Sequence, residues 1–184
     1  MGAFNRFIGK SFYKLLGWKV LETNPKIPKY VCVLAPHTSI WDMIYGKMYN
    51  WALDMKPKIM VKKEFFFFPM GPLLKAWGGF PVDRNYPGGI VQQMADEFKK
   101  KDKLIVVITP EGTRAANPNW KTGFYRLAQA AGVPLYVSFI DFKSKSCGFY
   151  EEEFKMTGNT EEDIAAIKEM YRGMEGMYKD KFVI

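Results

Sequence analysis

The sequence predicts one α/β domain: a mixed, largely parallel sheet flanked by helices, preceded by an amphipathic helix. Three observations carry this expectation. Apolar runs of strand length alternate with segments of helical periodicity through most of the chain. Leu104–Ile108 is apolar throughout, as in a central parallel strand covered on both faces. Two late strand-like stretches around a polar turn read as an antiparallel hairpin. With 184 residues, the chain suits a single domain with a substantial core.

Residues 3–18 place Phe4, Phe7, Ile8, Phe12, Leu15 and Leu16 at helical spacing, with Arg6, Lys10 and Lys14 on an adjoining face. That is the pattern of a helix lying in a membrane surface, apolar residues buried and cations near lipid phosphates, and equally of an amphipathic helix packed on the domain; the two do not exclude each other. We therefore divide the chain into a membrane-associating helix, residues 1–22, and a main domain, residues 23–184. Pro25 and Pro28 mark a linker, Tyr30–Ala35 a strand, and roughly Ser39–Leu53 a helix. Lys58–Val61 reads as another strand.

The next stretch holds Phe65, Phe66, Phe67 and Phe68 beside Lys62 and Lys63. Four consecutive phenylalanines cannot all face one core from a single helix or strand, so some should line a tunnel for an apolar chain or dip into a membrane, unless the segment is a helix start packed on both sides. Phe80–Val82 is a brief strand and Ile90–Lys100 a helix with cations at its end. The strand Leu104–Ile108 is followed by a loop and by a helix, Thr122–Ala131, that stops at Gly132. Leu135–Phe142 and Gly148–Lys155 form the hairpin. Thr160-Glu161-Glu162-Asp163 resembles a capping box opening a last helix over about 161–179.

The net charge of +8 implies attraction to an anionic partner: nucleic acid, an anionic membrane or an acidic carrier protein. No recognised nucleic-acid motif is present, which leaves the last two. Two cysteines, Cys32 and Cys147, make neither a disulfide framework nor a zinc pattern, and no metal site is expected. The chain reads as reduced and cytoplasmic. No apolar run reaches 18 residues, so contact with lipid should come from one side.

Chemistry points to Pro36-His37-Thr38-Ser39-Ile40-Trp41-Asp42, between a strand and a helix. His37 is the chain's only histidine. An aspartate five residues on can fold back across the helix start, accept from the imidazole, and leave the other ring nitrogen free as a general base. Taken alone, the pattern also fits a turn histidine beside a capping aspartate. A second stretch, Thr109-Pro110-Glu111-Gly112-Thr113-Arg114, follows the central strand. No Gly-x-Ser-x-Gly elbow and no reactive cysteine is evident, so the residues offer a base but no covalent nucleophile.

Together the two stretches resemble the glycerophospholipid acyltransferase family of the lysophosphatidic acid acyltransferase type, which carries H-x4-D and a later F-P-E-G-T-R-S. Gly79-Phe80-Pro81-Val82-Asp83-Arg84 is similar to the family's arginine-bearing second block, and Val133-Pro134-Leu135 to a fourth. The resemblance implies a largely parallel sheet flanked by helices, His37 and Asp42 as the catalytic pair, and Arg84, Glu111, Gly112 and Arg114 around the acceptor's phosphate. It implies a fatty acyl group moving from an acyl carrier protein or coenzyme A thioester, as cosubstrate, to a lysophospholipid such as 1-acyl-glycerol-3-phosphate. No resident cofactor is expected, and the place of work is the inner face of the membrane, peripherally bound.

Departures from the family pattern bear on the acceptor. Thr109 stands for the usual Phe, Ala115 for Ser, Pro81 often for Phe and Val137 often for Pro. A lipid-like amine or another lysolipid remains an alternative acceptor, and a non-catalytic lipid-binding module is the rival outside enzymes. An intact His37–Asp42 pair speaks against that rival, because a binder needs no base.

Overall fold

The structure is a computed structural model that describes residues 2–184. Seven strands form one sheet in the order β1-β7-β6-β2-β5-β3-β4. They are β1 (Lys19–Val20), β2 (Lys29–Ala35), β3 (Lys58–Lys62), β4 (Gly79–Val82), β5 (Leu104–Ile108), β6 (Leu135–Asp141) and β7 (Ser146–Phe149). Every pairing is parallel except the β6–β7 hairpin. The helices are α1 (Ala3–Leu16), α2 (Trp41–Ala52), α3 (Met70–Ala76), α4 (Gly89–Lys100), α5 (Gly123–Ala131) and α6 (Thr160–Met170).

Period-two alternation along β2 builds two cores. Val31, Val33 and Ala35 face a cluster with Met94 and Phe98 of α4, Phe124 and Leu127 of α5, and Ile167 of α6. Tyr30 and Cys32 face the other side, with Tyr49 of α2 and Tyr13 of α1. The two sides differ in finish. Helices α4–α6 seal the first, whereas the second leaves aromatic residues in solvent.

The amphipathic helix α1 buries a narrower face than its sequence suggests. Its packing stripe is Gly9 and Tyr13, with the Tyr13 hydroxyl donating to the Tyr45 carbonyl at 2.5 Å. At Gly9 the two helices cross so closely that a Cβ would meet the Ala52 nitrogen at 2.5 Å and the Met48 carbonyl at 2.6 Å. Phe4, Phe7 and Leu15 project the opposite way and are 72, 70 and 85% exposed. After α1, Trp18 enters the core and β1 joins the sheet beside β7.

Four elements differ from the sequence expectation. The two-residue β1 and the seven-residue α3 are too short to show periodicity. The last strand is Ser146–Phe149 rather than 148–155, and only an isolated bridge, Leu135–Phe154, continues it. The last helix ends at Met170 rather than near 179. Tyr171 then plunges between the layers, where its hydroxyl donates to the Ser138 carbonyl at 2.8 Å, and Gly173 turns the chain with a φ of 82°. Its N-cap is Asn159, one residue before the supposed capping box; Asp163 instead accepts from Tyr125 and Thr157.

Gly9→Ala should force α1 away from α2. Overpacking of this kind typically costs about 1–3 kcal/mol, so the urea midpoint should fall measurably. An unchanged midpoint would mean that the helices do not need this close crossing.

Candidate active site

Because β2, β5, β3 and β4 are parallel, their carboxyl ends share one edge, the usual ligand edge of an open α/β sheet. The loop after β2 carries His37, the loop after β5 carries Glu111 to Arg114, and that after β4 carries Arg84. Strand order places the His37 and Arg114 loops next to each other. Arg84 follows the edge strand β4, which lies three strand spacings from β2, or about 14 Å at ~4.8 Å each.

Asp42 sits in the first turn of α2 and is 2% exposed. Its Oδ2 accepts from the Thr38 amide at 2.7 Å and from the Ser39 amide at 2.9 Å, and it lies 3.2 Å from His37 Nδ1. A carboxylate only accepts, so Nδ1 carries the proton and Nε2 keeps its lone pair. The Ser39 hydroxyl accepts from the Trp41 amide, finishing the helix start. His37 is partly exposed and reachable by a substrate.

Glu111 takes part in the fold of the His37 loop. It is 2% exposed and its Oε1 accepts the His37 backbone N–H at 2.8 Å, so β5 holds the β2 loop through it. No contact with Arg114 forms. Its Oε2 is buried without a partner, and burial pushes its carboxyl up to about 7. Gly112 turns the loop with a φ of 66°, and the Asn117 amide and the Lys121 N–H close it onto the Glu111 and Pro110 carbonyls at 2.7 Å each.

Arg84 and Arg114 are exposed, and neither guanidinium has a partner among the described residues. Asp83, the nearest acid in sequence to Arg84, is taken by Lys63 at 2.5 Å. The arginines are therefore free to meet an anion.

Behind Asp42 a cavity of about 280 Å³ runs between α2 and the sheet. That is nearly twice the ~150 Å³ apolar cavity that can hold a benzene ring. Leu34, Met43, Gly46, Val107, Ile140 and Phe149 line its bore, and Lys56, Lys58 and Lys75 rim the end away from His37. None of Phe65, Phe66, Phe67 and Phe68 lines it. Phe65, Phe67 and Phe68 stand in solvent instead, Phe68 at 87% exposure, so of their two expected tasks only outward contact fits their position. Sequence reasoning expected a tunnel but missed the residues that line this cavity; the available signal was Gly46, a small residue on the sheet-facing side of α2.

Both thiols are buried, and burial pushes each up to about 12, which removes them as nucleophiles near neutral pH. No cluster of three or more metal-ligating side chains exists among the described residues.

The Glu111 carboxyl gives a signed pH effect. Between its ordinary 4.5 and about 7, the folded chain keeps a proton that the unfolded chain has lost. Stability from this group is therefore fully present below 4.5 and lost as pH rises to 7. At about 1.4 kcal/mol per pH unit the loss approaches ~3 kcal/mol. Glu111→Gln cannot ionise, so it should be stabilised relative to wild type as pH rises from 5 to 8. Urea midpoints of both proteins at the two pH values check this; parallel changes would refute it.

Comparison with known proteins agrees with this geometry. The acyltransferase family model matches residues 19–140, which include both motifs. A 1-acyl-sn-glycerol-3-phosphate acyltransferase of Streptococcus pneumoniae is 30% identical over 171 residues, covering 85% of this chain. The chain spans 62% of that relative's length. The crystal structure of the 1-acyl-sn-glycerophosphate acyltransferase of Thermotoga maritima has the same fold, with a TM-score of 0.58 at 16% identity over 94% of this chain and 80% of that one. By the match across two-thirds of its length, this chain belongs to the acyltransferase family.

Proposed function

We propose that the chain transfers a fatty acyl group from an acyl carrier protein or coenzyme A thioester to the free hydroxyl of a lysoglycerophospholipid, such as 1-acyl-glycerol-3-phosphate, in phospholipid biosynthesis. The observation that carries this reading is the His37–Asp42 pair, whose Asp42 lines an apolar cavity, on the edge where unpaired Arg114 projects. The His37 imidazole takes the acceptor's hydroxyl proton at Nε2 while its oxygen attacks the thioester carbonyl. The tetrahedral intermediate expels the thiolate, which recovers the proton from the imidazolium. Asp42 holds the ring and balances its transient charge. The cavity suits a hydrocarbon chain leading away from the reacting carbonyl, and Arg114 a phosphate. The thioester is a cosubstrate, and the mechanism asks for no resident cofactor.

The same reading places the protein peripherally on an anionic membrane, at its inner, cytoplasmic face. Among the described residues no helix is long and apolar enough to cross a bilayer. Support for surface contact comes from the outward stripe Phe4, Phe7 and Leu15, near Arg6, Lys10 and Lys14, and from exposed Phe65, Phe67 and Phe68. Phe4→Ser/Phe7→Ser alters exposed positions only, so the fold should survive while partitioning onto anionic vesicles weakens. Sedimentation with vesicles at several salt concentrations measures this. Equal partitioning would refute α1 as a lipid contact.

Purified protein incubated with acyl donors and labelled lysolipids tests the activity. His37→Ala and Asp42→Asn should each lower transfer by about 10²–10⁴-fold with the fold preserved. Near wild-type rates in both would overturn the mechanism.

Arg114→Lys keeps charge but loses the planar fork. It should cost about tenfold in kcat/KM on a phosphate-bearing acceptor, because a hydrogen bond to a charged group is worth roughly 1.5–3 kcal/mol. Donor hydrolysis should change much less. A variant that tolerates the lysine, in an enzyme preferring an amine acceptor, would move the acceptor to the amine class.

A further inference from the structure

Residues 173–179 do not continue the last helix as the sequence predicts. Beyond Gly173 the chain runs across the carboxyl edge of the sheet and over the catalytic loop. Two tethers hold its near end: the Glu175 amide donates to Asp141 Oδ1 at 3.0 Å, and the Phe142 amide donates to the Glu175 carbonyl at 2.9 Å. Its far end is held by Phe182, whose ring packs beside Trp120 and Tyr171 with centroids 6.5 and 6.3 Å away. Trp120 belongs to the loop that carries Glu111 and Arg114.

Between those tethers the segment meets Thr38, which is 1% exposed. The Tyr178 amide donates to Thr38 Oγ1 at 3.2 Å. Gly176 is buried so tightly on the same side chain that a Cβ there would stand 2.5 Å from Oγ1 and against Cγ2. Thr38 in turn donates its own amide to the Asp42 oxygen that faces the imidazole. A continuous series of contacts thus joins the end of the chain to His37.

We propose that the segment from Gly173 to Phe182 is a positioning element of the active site. By packing Gly176 on Thr38 and donating the Tyr178 amide to its hydroxyl, it fixes the loop in which Asp42 can orient His37. None of these residues needs to touch substrate. The proposal rests on the acyl-transfer reading of that loop. A lost bond to a buried hydroxyl loosens the loop, and small misplacements of a catalytic group cost rate steeply.

The test uses the full chain with Gly176→Ala, and with Phe182→Ala, which releases the far tether without adding an atom near Thr38. Three quantities are read: kcat and KM for transfer, the downfield Nδ1–H proton resonance of the single histidine, and circular dichroism. Gly176→Ala should lower kcat about tenfold or more, with KM for both substrates within about twofold, and should shift or broaden the resonance. Phe182→Ala should act in the same direction more weakly. Thr38→Ser, which keeps the hydroxyl, should retain more activity than Thr38→Val. A folded Gly176→Ala with wild-type kcat and an unmoved resonance overturns the proposal. If that variant does not fold, the same result in Phe182→Ala overturns it. Should the wild type transfer no acyl group to any acceptor, the functional reading falls, and the resonance alone still decides whether the segment seats His37.

Discussion

A single carboxylate oxygen, Asp42 Oδ2, joins the architecture to the chemistry. It takes two backbone amides of the His37 loop and faces the one imidazole, so one atom sets the loop's path and the ring's orientation together. The amides are buried, and leaving each unsatisfied would cost about 1–3 kcal/mol. That cost holds the aspartate in place whether or not substrate is present. The helix that supplies it begins beside the oxygen, where the positive end of the helix dipole favours an anion. Preorganisation here is the by-product of a properly started helix.

The two faces of the sheet express a second constraint. One is sealed by α4–α6 around a continuous core and serves stability. Under α2, packing stops short: a cavity remains, and the surrounding elements show phenylalanines to solvent. Apolar area left uncovered on a monomer generally marks a contact site. Dividing the labour between faces leaves room for a cavity on one without surrendering the core on the other.

Much of this was legible in the chain. The run Leu104–Ile108 announced a strand buried on both faces, and it sits in mid-sheet between β2 and β3. His37 and Asp42 were readable because one short segment contains both, and local geometry alone brings them within 3.2 Å. Glu111 was placed in the site by its motif, but its partner is a backbone amide 74 residues away that no residue type signals. The end of α6 was overrun because the helical stretch continues smoothly in composition, although Gly173 and Gly176 were breakers in plain view. What decides that ending is Tyr171 finding two carbonyls between the layers. Long-range hydrogen bonds of this kind leave no local trace.

The span between Thr38 and Tyr178 has a consequence for biosynthesis. A chain is made from its amino end, and 140 residues separate the catalytic loop from the amide that meets it. The central strand β2 likewise waits for β5 and β6 on its two sides. Such non-local pairings close late in folding. His37 therefore leaves the ribosome long before the contacts that seat it exist, and a nascent or truncated chain holds the imidazole without its finished surroundings.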